Sequence, residues 1–324
     1  MMIQCYDGSD AQGLEAFLTL DRRLYPERNR PVPPPPGSAV LFCVTGGDLV
    51  KAHAAALVNP SLPGGLLGWF EAENSPDAAA ALFDAVQAHF SRLGISSVIG
   101  PMNGSTWESY RVALPEGTPF FLDAESMPYY WNLFESNGFE VIAEYHSSRA
   151  DLSETSFRKL EQLTSFFQSR GVTIENFERG KAEVILREIH ELSLESFRNN
   201  FLYSPISLEY FLQKYLPLVV NIPPEFILLA RDPSGRLAGF LFSVPNLLCR
   251  DRKELILKTI AVRPDCRRLG LGTFLVELCR RRAFEAGFQT VYHALIYDAN
   301  PSARIERSDM TVCRRYRLYR RTCS

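Results

Sequence analysis

The segment Lys258-Thr-Ile-Ala-Val-Arg-Pro-Asp-Cys-Arg267-Arg-Leu-Gly270-Leu-Gly272-Thr273 joins a strand pattern to a helix pattern through a glycine-rich turn. The apolar, β-branched run from Leu255 to Val262 has the composition of a strand and ends at Arg263-Pro264. An Arg-x-x-Gly-x-Gly loop follows, and a helical pattern runs from Leu271 to about Ala286. Such a turn leaves backbone N–H groups unpaired and aims them at one point, where the positive end of the helix dipole also lies. The two glycines let the chain approach a ligand without a Cβ in the way. Arg267 and Arg268 add guanidinium forks suited to phosphate oxygens. The loop by itself is read either as a pyrophosphate cradle or as an ordinary helix start with spare glycines. It is no P-loop, because Leu269 to Thr273 lacks the Gly-Lys-Ser/Thr ending. It is no dinucleotide fingerprint, because the third glycine is missing.

Strand, Arg-Pro turn, loop and amphipathic helix, in that order, resemble motif A of the GNAT acyltransferase superfamily, whose acyl-CoA loop reads Gln/Arg-x-x-Gly-x-Gly/Ala. The resemblance implies an acyl-CoA donor, acetyl-CoA in the first instance, and a primary amine as acceptor. It assigns the pyrophosphate to Arg267, Arg268, Leu269, Gly270, Leu271, Gly272 and Thr273. The pantetheine arm falls to the backbone of Ile260, Ala261 and Val262, and Asn300 with Ala303 matches the family's Asn-x-x-Ala. The usual general acid does not match: the Tyr of that pattern falls on Arg307, and in the first half Phe134 stands at the corresponding place. Tyr297 is the substitute, either as an acid or as a half-buried aromatic at a strand end. The usual strand Glu falls on Ile256. Glu254, two residues earlier and so on the same strand face, is either the base or a solvated strand end. Cys266 sits beside the loop but has no histidine near it in sequence to form a nucleophilic pair.

Composition allows this reading. The 324 residues suffice for two domains, and no apolar run approaches the ~18 residues a membrane helix needs. Met1 to Asp7 lacks a basic and then a long apolar stretch, so no signal peptide is expected. Seven cysteines without a Cys-x-x-Cys read as the reduced thiols of a cytoplasmic protein. Five scattered histidines without a His-x-x-x-His pair give no expectation of a metal. Residues 1–150 hold 8 Lys/Arg against 17 Asp/Glu, and the remainder 27 against 20, so a net charge of −2 divides into −9 and +7. A basic second half suits the phosphates of CoA. Nucleic acid is not expected, because the whole chain is mildly acidic.

Sliding the halves by 193 positions superposes Leu82-Phe83 on Leu275-Val276, Gly94 on Gly287 and Val98 on Val291. Each half thus reads strand, helix, glycine, strand: Leu66–Ala72, Ala81–Gly94 and Ile95–Ile99, then Leu255–Val262, Phe274–Gly287 and Thr290–Ile296. The expected fold is α/β: two tandem GNAT-like domains, each a mixed, mostly antiparallel twisted sheet flanked by helices. Residues 1–150 form the degenerate copy and 151–324 the acyl-CoA-binding copy. A joining helix is expected at Thr155–Arg170.

Further elements follow from pattern. The first half has a strand at Met2–Tyr6, a helix at Leu14–Leu24 and a hairpin, Ala39–Val44 with Lys51–Val58, turned at Gly46-Gly47. Pro31–Gly37 is a stiff surface connector. The second half has a strand at Val172–Phe177, helices at Ala182–Asn199 and Ser207–Leu216, and strands Phe226–Arg231 and Leu237–Val244 around an Asp232-Pro-Ser-Gly turn. Arg314 to Arg321 reads as a last strand whose arginines either line a solvated face or meet the CoA 3′-phosphate or an acidic acceptor.

The same slide sets Asn74–Ala79 opposite the glycine loop, with Asp77 where Gly270 stands. A carboxylate ~4 Å from a phosphate costs about 4 kcal/mol at an effective dielectric of 20, so one acyl-CoA per chain is expected, in the second half. The first half keeps Gly100-Pro-Met-Asn103 and a polar run to Arg111, either facing a substrate or pinned as a loop. Three functions compete: an N-acyltransferase, a non-catalytic acyl-CoA-binding module, and a Fem-type peptidyltransferase. The last is disfavoured by the intact loop and the acidic balance.

Overall fold

The computed structural model describes residues 1–26, 34, 37–157, 159–249, 253–299 and 309–323. By compactness the chain forms two units: Met1–Glu116 with Ala124–Tyr145 and Arg315–Ser324, and Gly117–Asp123 with His146–Arg314. These interleave along the chain, whereas a single cut near Asp151 was the expectation.

The first unit contains β1 (Met2–Asp7), α1 (Ala11–Leu24), β2 (Val40–Gly46), β3 (Leu49–Val58), β4 (Gly65–Ala72), α2 (Pro76–Arg92), β5 (Ser97–Gly100), β6 (Val112–Ala113) and α3 (Tyr130–Ser136). Its strands run β1-β2-β3-β4-β5, antiparallel except that β4 and β5 are parallel. The β2–β3 hairpin turns at Gly47 and Asp48, one residue later than expected, with Gly47 at φ 62. Along α2 the buried Ala79, Leu82, Phe83, Val86 and Phe90 recur at helical spacing and pack on Phe42, Val44, Ala54 and Leu67 of the sheet. Burying a side chain of this size contributes about 1.5–3 kcal/mol, so the stripe fixes which helix face meets the sheet.

After β7 (Glu140–Asp151), the second unit continues with α4 (Leu160–Gln168), β8 (Thr173–Asn176), α5 (Ala182–Phe197), α6 (Leu208–Val219), β9 (Ile227–Arg231) and β10 (Leu237–Pro245). It ends with β11 (Glu254–Val262), α7 (Pro264–Arg267), α8 (Leu271–Glu285), β12 (Thr290–Tyr297) and the start of β13 (Thr311–Thr322). Strand order is β12-β11-β10-β9-β8, again antiparallel except for one parallel pair, β11 with β12. Leu271, Phe274, Leu275, Cys279 and Ala283 of α8 pack on Leu255 and Leu257 of β11, and Phe167 stacks on Phe274 at 5.1 Å.

Two expectations change in detail. The joining helix is broken into a 3₁₀ turn, Glu154–Phe157, and α4. The last strand forms, but its arginines are not simply solvated. Arg314 is buried on Asp123 at 2.7 Å, Arg317 pairs with Glu135 at 2.8 Å, and Arg321 with Asp84 at 2.8 Å. The carboxylates that face them hold these side chains in; Arg315 and Arg320 remain exposed. Among the described residues no helix is long and apolar enough to cross a membrane.

Candidate active site

β11 and β12 pair from Glu254–Thr290 to Leu257–His293 and no further. Beyond Leu257 the edge of β11 that faced β12 has no strand partner among the described residues, and Lys258, Thr259 and Ile260 are half-buried there. Two irregularities accompany the parting. The β10–β11 register shifts between Phe242 and Ser243, leaving Lys258 as the extra residue of a bulge, which bends the strand. On β12, Leu295 has φ 60, and its N–H donates to Ser147 Oγ at 2.9 Å. Two parallel strands joined at one end and open at the other expose backbone N–H and C=O groups to a ligand.

The glycine loop lies at the open end. Arg263 to Gly270 carries the chain from β11 to α8, with α7 as its first turn. Gly270 is the N-cap of α8 at φ 84, in the left-handed region glycine tolerates, and a Cβ there would meet no atom within 4 Å. No side chain caps α8, and its first turn has no acidic residue. The N–H groups of Leu271, Gly272 and Thr273 therefore present the helix dipole to whatever lies before them. Gly272 sits 3.5 Å from Ile260 and 3.6 Å from Val262, measured from where its Cβ would be, which ties the helix start to the open strand.

The two arginines part company. Arg267 donates from Nε to the Val262 carbonyl at 3.1 Å and from Nη2 to the Ser196 carbonyl, so its guanidinium holds the loop instead of reaching outward as expected. Ser196 Oγ donates to the same Val262 carbonyl at 2.9 Å. Arg267, Arg268 and Leu269 are all exposed as residues, so it is these two bonds that set Arg267 apart. Arg263 braces the base of the loop on Asp265 at 2.7 Å and Asp232 at 2.8 Å. Hydrogen bonds from Ser234, then Arg263, hold the Asp232 carboxyl at about 2. Burial raises the Cys266 thiol, which removes it further from nucleophilic use.

The two acid–base candidates fare differently. Glu254 is buried, not solvated: Asn246 Nδ2 donates to its Oε2 at 2.7 Å, and it hydrogen-bonds Tyr292, whose hydroxyl burial and this carboxylate push to about 12. It stands at the closed end of the parallel pair, eight residues before Val262, or about 26 Å along a strand. Tyr297 ends β12 at the loop's end of the sheet, half-buried and stacked on Phe201 at 5.6 Å. Asn300 lies outside the described residues, with Ala303 and Arg307 and most of Pro31–Gly37.

Sequence reading missed a pair. His146 of β7 and Asp298, just past β12, lie 2.6 Å apart between Nδ1 and Oδ1, with the imidazole buried and the carboxylate about a third exposed. A carboxylate on one ring nitrogen orients an imidazole for proton transfer at the other. The two are 152 positions apart, so no local motif could have signalled them.

The first unit's counterpart is closed. β4 and β5 pair only at Gly65–Val98 and Leu66–Ile99. Past that point Met102 N–H donates to the Leu67 carbonyl at 2.8 Å, and Asn103 Oδ1 accepts the Trp69 N–H at 2.7 Å. A Cβ on Gly68 would come within 2.7 Å of the Met102 carbonyl, so the chain's own loop occupies the strand edge. Between β4 and α2 there are only Glu73, Asn74 and Ser75, and Ser75 Oγ caps the Ala78 N–H.

Parallel strands that part before a glycine-started helix accord with the GNAT fold, which generally binds acetyl-CoA. Residues 186–305 match the acetyltransferase (GNAT) family, and this part of the chain belongs to it. Solved structures resemble the whole chain at low identity. A tandem GNAT protein from the clavulanic acid biosynthesis pathway has a TM-score of 0.57 at 12% identity, over 100% of this chain and 99% of that one. A GCN5-related N-acetyltransferase from Sphaerobacter thermophilus has 0.53 at 15%, over 99% and 96%. A glucosamine N-acetyltransferase region of a fungal multi-domain GH3 β-N-acetylglucosaminidase has 0.57 at 13%, and there the match covers 98% of this chain but 38% of the other. At these identities the likeness is one of fold. No curated protein matches the chain in sequence.

Proposed function

We propose that the chain is an N-acyltransferase that binds one acyl-CoA, acetyl-CoA in the first instance, on its second unit and passes the acyl group to a primary amine. The observation that carries this reading is the uncapped start of α8 at Gly270 beside the open edge of β11, against a capped α2 and a sealed β4 in the first unit. The pyrophosphate meets the N–H groups of Leu271, Gly272 and Thr273, with Arg268 as the outward cation and Arg267 and Leu269 shaping the loop. Ile260, Ala261 and Val262 offer backbone to the pantetheine arm. Each charge-assisted N–H bond contributes about 1.5–3 kcal/mol.

The amine nitrogen attacks the thioester carbonyl carbon; the C–S bond breaks, and the thiolate leaves as CoA. The amine proton passes to His146, oriented by Asp298, directly or through a water, and Tyr297 is the candidate donor to the thiolate. Glu254 has no part in this scheme, because it is buried at the closed end of the strands. Positioning and proton transfer supply the acceleration, with no covalent enzyme intermediate.

A second reading, a non-catalytic acyl-CoA module, is favoured by the burial of Glu254 and by Phe134 in the core at a position where the family carries Tyr. Calorimetry with acetyl-CoA followed by thiol release with a pool of primary amines separates the two. Binding at one site with release supports the transferase. Binding without release for every amine supports the module, and indifference to acetyl-CoA overturns both.

A further inference from the structure

Arg111 carries a buried charge that the described residues do not answer. It is 6% exposed. Its Cζ lies 3.8 Å from the centroid of the Tyr110 ring, 4.2 Å from that of Tyr145 and 6.0 Å from that of Tyr316. Nε donates to the Tyr110 carbonyl at 3.0 Å, while Nη1 is enclosed and has no hydrogen-bond partner among the described residues. No carboxylate pairs with it among those residues, although Arg317, one position along β13 from Tyr316, has both Glu135 and Glu144. The backbone is unusual too: Arg111 has φ 88, outside the range that non-glycine residues favour. It is fixed there by its N–H on the Pro101 carbonyl at 3.0 Å and by β6, which follows directly and pairs with Tyr316 and Arg317.

Aromatic faces attract a guanidinium but accept no N–H bond in its plane, so they leave the enclosed Nη1 without an acceptor. A buried cation with unmet donors is costly, and a strained backbone that presents it is costly again. Both costs are met if a bound anion completes the site. We propose that Arg111 anchors a binding site for a small carboxylate-bearing molecule in the first unit, Nη1 donating to the carboxylate with Tyr110 and Tyr145 as walls. A monoanion balances the single charge one to one. A phosphate dianion would leave excess negative charge among the electron-rich faces of three tyrosines. The site is separate from the acyl-CoA loop and stands without it, since all its residues belong to the unit whose strand opening is sealed.

The test is a thermal-shift titration of the full chain with sodium acetate, sodium benzoate and sodium phosphate, against sodium chloride at equal ionic strength. It is run on the wild type, Arg111→Met and Arg111→Lys. At saturation one of the two carboxylates raises the wild-type Tm by roughly 2–4 °C beyond chloride, Arg111→Lys responds more weakly, and Arg111→Met does not respond. An unmoved wild type, or an equal shift in Arg111→Met, overturns the site and leaves Nη1 to an ordinary water. Stabilisation by inorganic phosphate alone overturns the carboxylate class. If Arg111→Met fails to fold, NMR of arginine-labelled wild type decides: the Arg111 Nε–H resonance moves with acetate, and a stationary one overturns the proposal. Acetyl-CoA calorimetry on the same samples reports the other unit separately.

Discussion

Asn103 Oδ1 accepts the Trp69 N–H at 2.7 Å, a side chain doing for β4 what a neighbouring strand or a pantetheine arm would otherwise do. Trp69 stands at φ 45, so the strand is kinked where the bond is made. The Gly100-Pro-Met-Asn103 segment is thus a pinned loop at Asn103. Asn103→Ala leaves that N–H without its acceptor, at about 1–3 kcal/mol. The expected result is a Tm lowered by several degrees, with acetyl-CoA stoichiometry unchanged at one in calorimetry.

Gly270→Asp places a carboxylate where the phosphate charge is expected and a Cβ at φ 84. Repulsion of about 4 kcal/mol weakens acetyl-CoA by roughly 10²-fold or more, read by calorimetry. Gly270→Ala separates the terms: open space surrounds the position, so it costs only the left-handed strain of about 1–2 kcal/mol. Equal affinity in Gly270→Asp and Gly270→Ala would count against the anion cradle.

Periodicity made the strands and helices legible because Leu82, Val86 and Phe90, like Leu271, Phe274 and Leu275, are buried against a sheet. The loop was legible because its glycines do local work. What lay hidden depends on partners distant in sequence. Glu254 needed Asn246 and Tyr292 to become buried, and Arg267 found carbonyls at Val262 and Ser196. Sliding one helix over the other also concealed a deletion: three residues lead into α2, where eight lead into α8. Arg111 could not be singled out, because an absent counter-ion leaves no mark in a sequence.

His146→Gln removes the proton acceptor of the proposed scheme while leaving the acyl-CoA loop untouched. Thiol release with an accepted amine is expected to fall by roughly 10²-fold or more, with acetyl-CoA affinity within a factor of about two. Asp298→Asn, which loses the orienting charge, falls less and in the same direction. Unchanged release in both variants would leave the pair a structural contact between β7 and the end of β12.

Glu71 gives the first unit a pH dependence of its own. Its residue keeps some exposure, but the carboxyl turns inward beneath Tyr130 and Tyr25, whose hydroxyls donate to Oε2. Across the sheet it faces His53, which is bonded to Asp21 at 2.7 Å. Burial pushes it from 4.5 to about 7, against the lowering pull of the Tyr130 and Tyr25 hydrogen bonds. Since the folded chain holds this proton more tightly than the unfolded one, its contribution to stability is complete below about pH 4.5. It is lost progressively as pH rises to about 7, by at most about 3 kcal/mol. Glu71→Gln keeps an acceptor for both hydroxyls and removes the titration. Denaturant unfolding of the two proteins should coincide at pH 4.5 and separate by pH 8, with the glutamine variant the more stable. A difference that does not vary with pH would mean that the carboxyl titrates in its ordinary range.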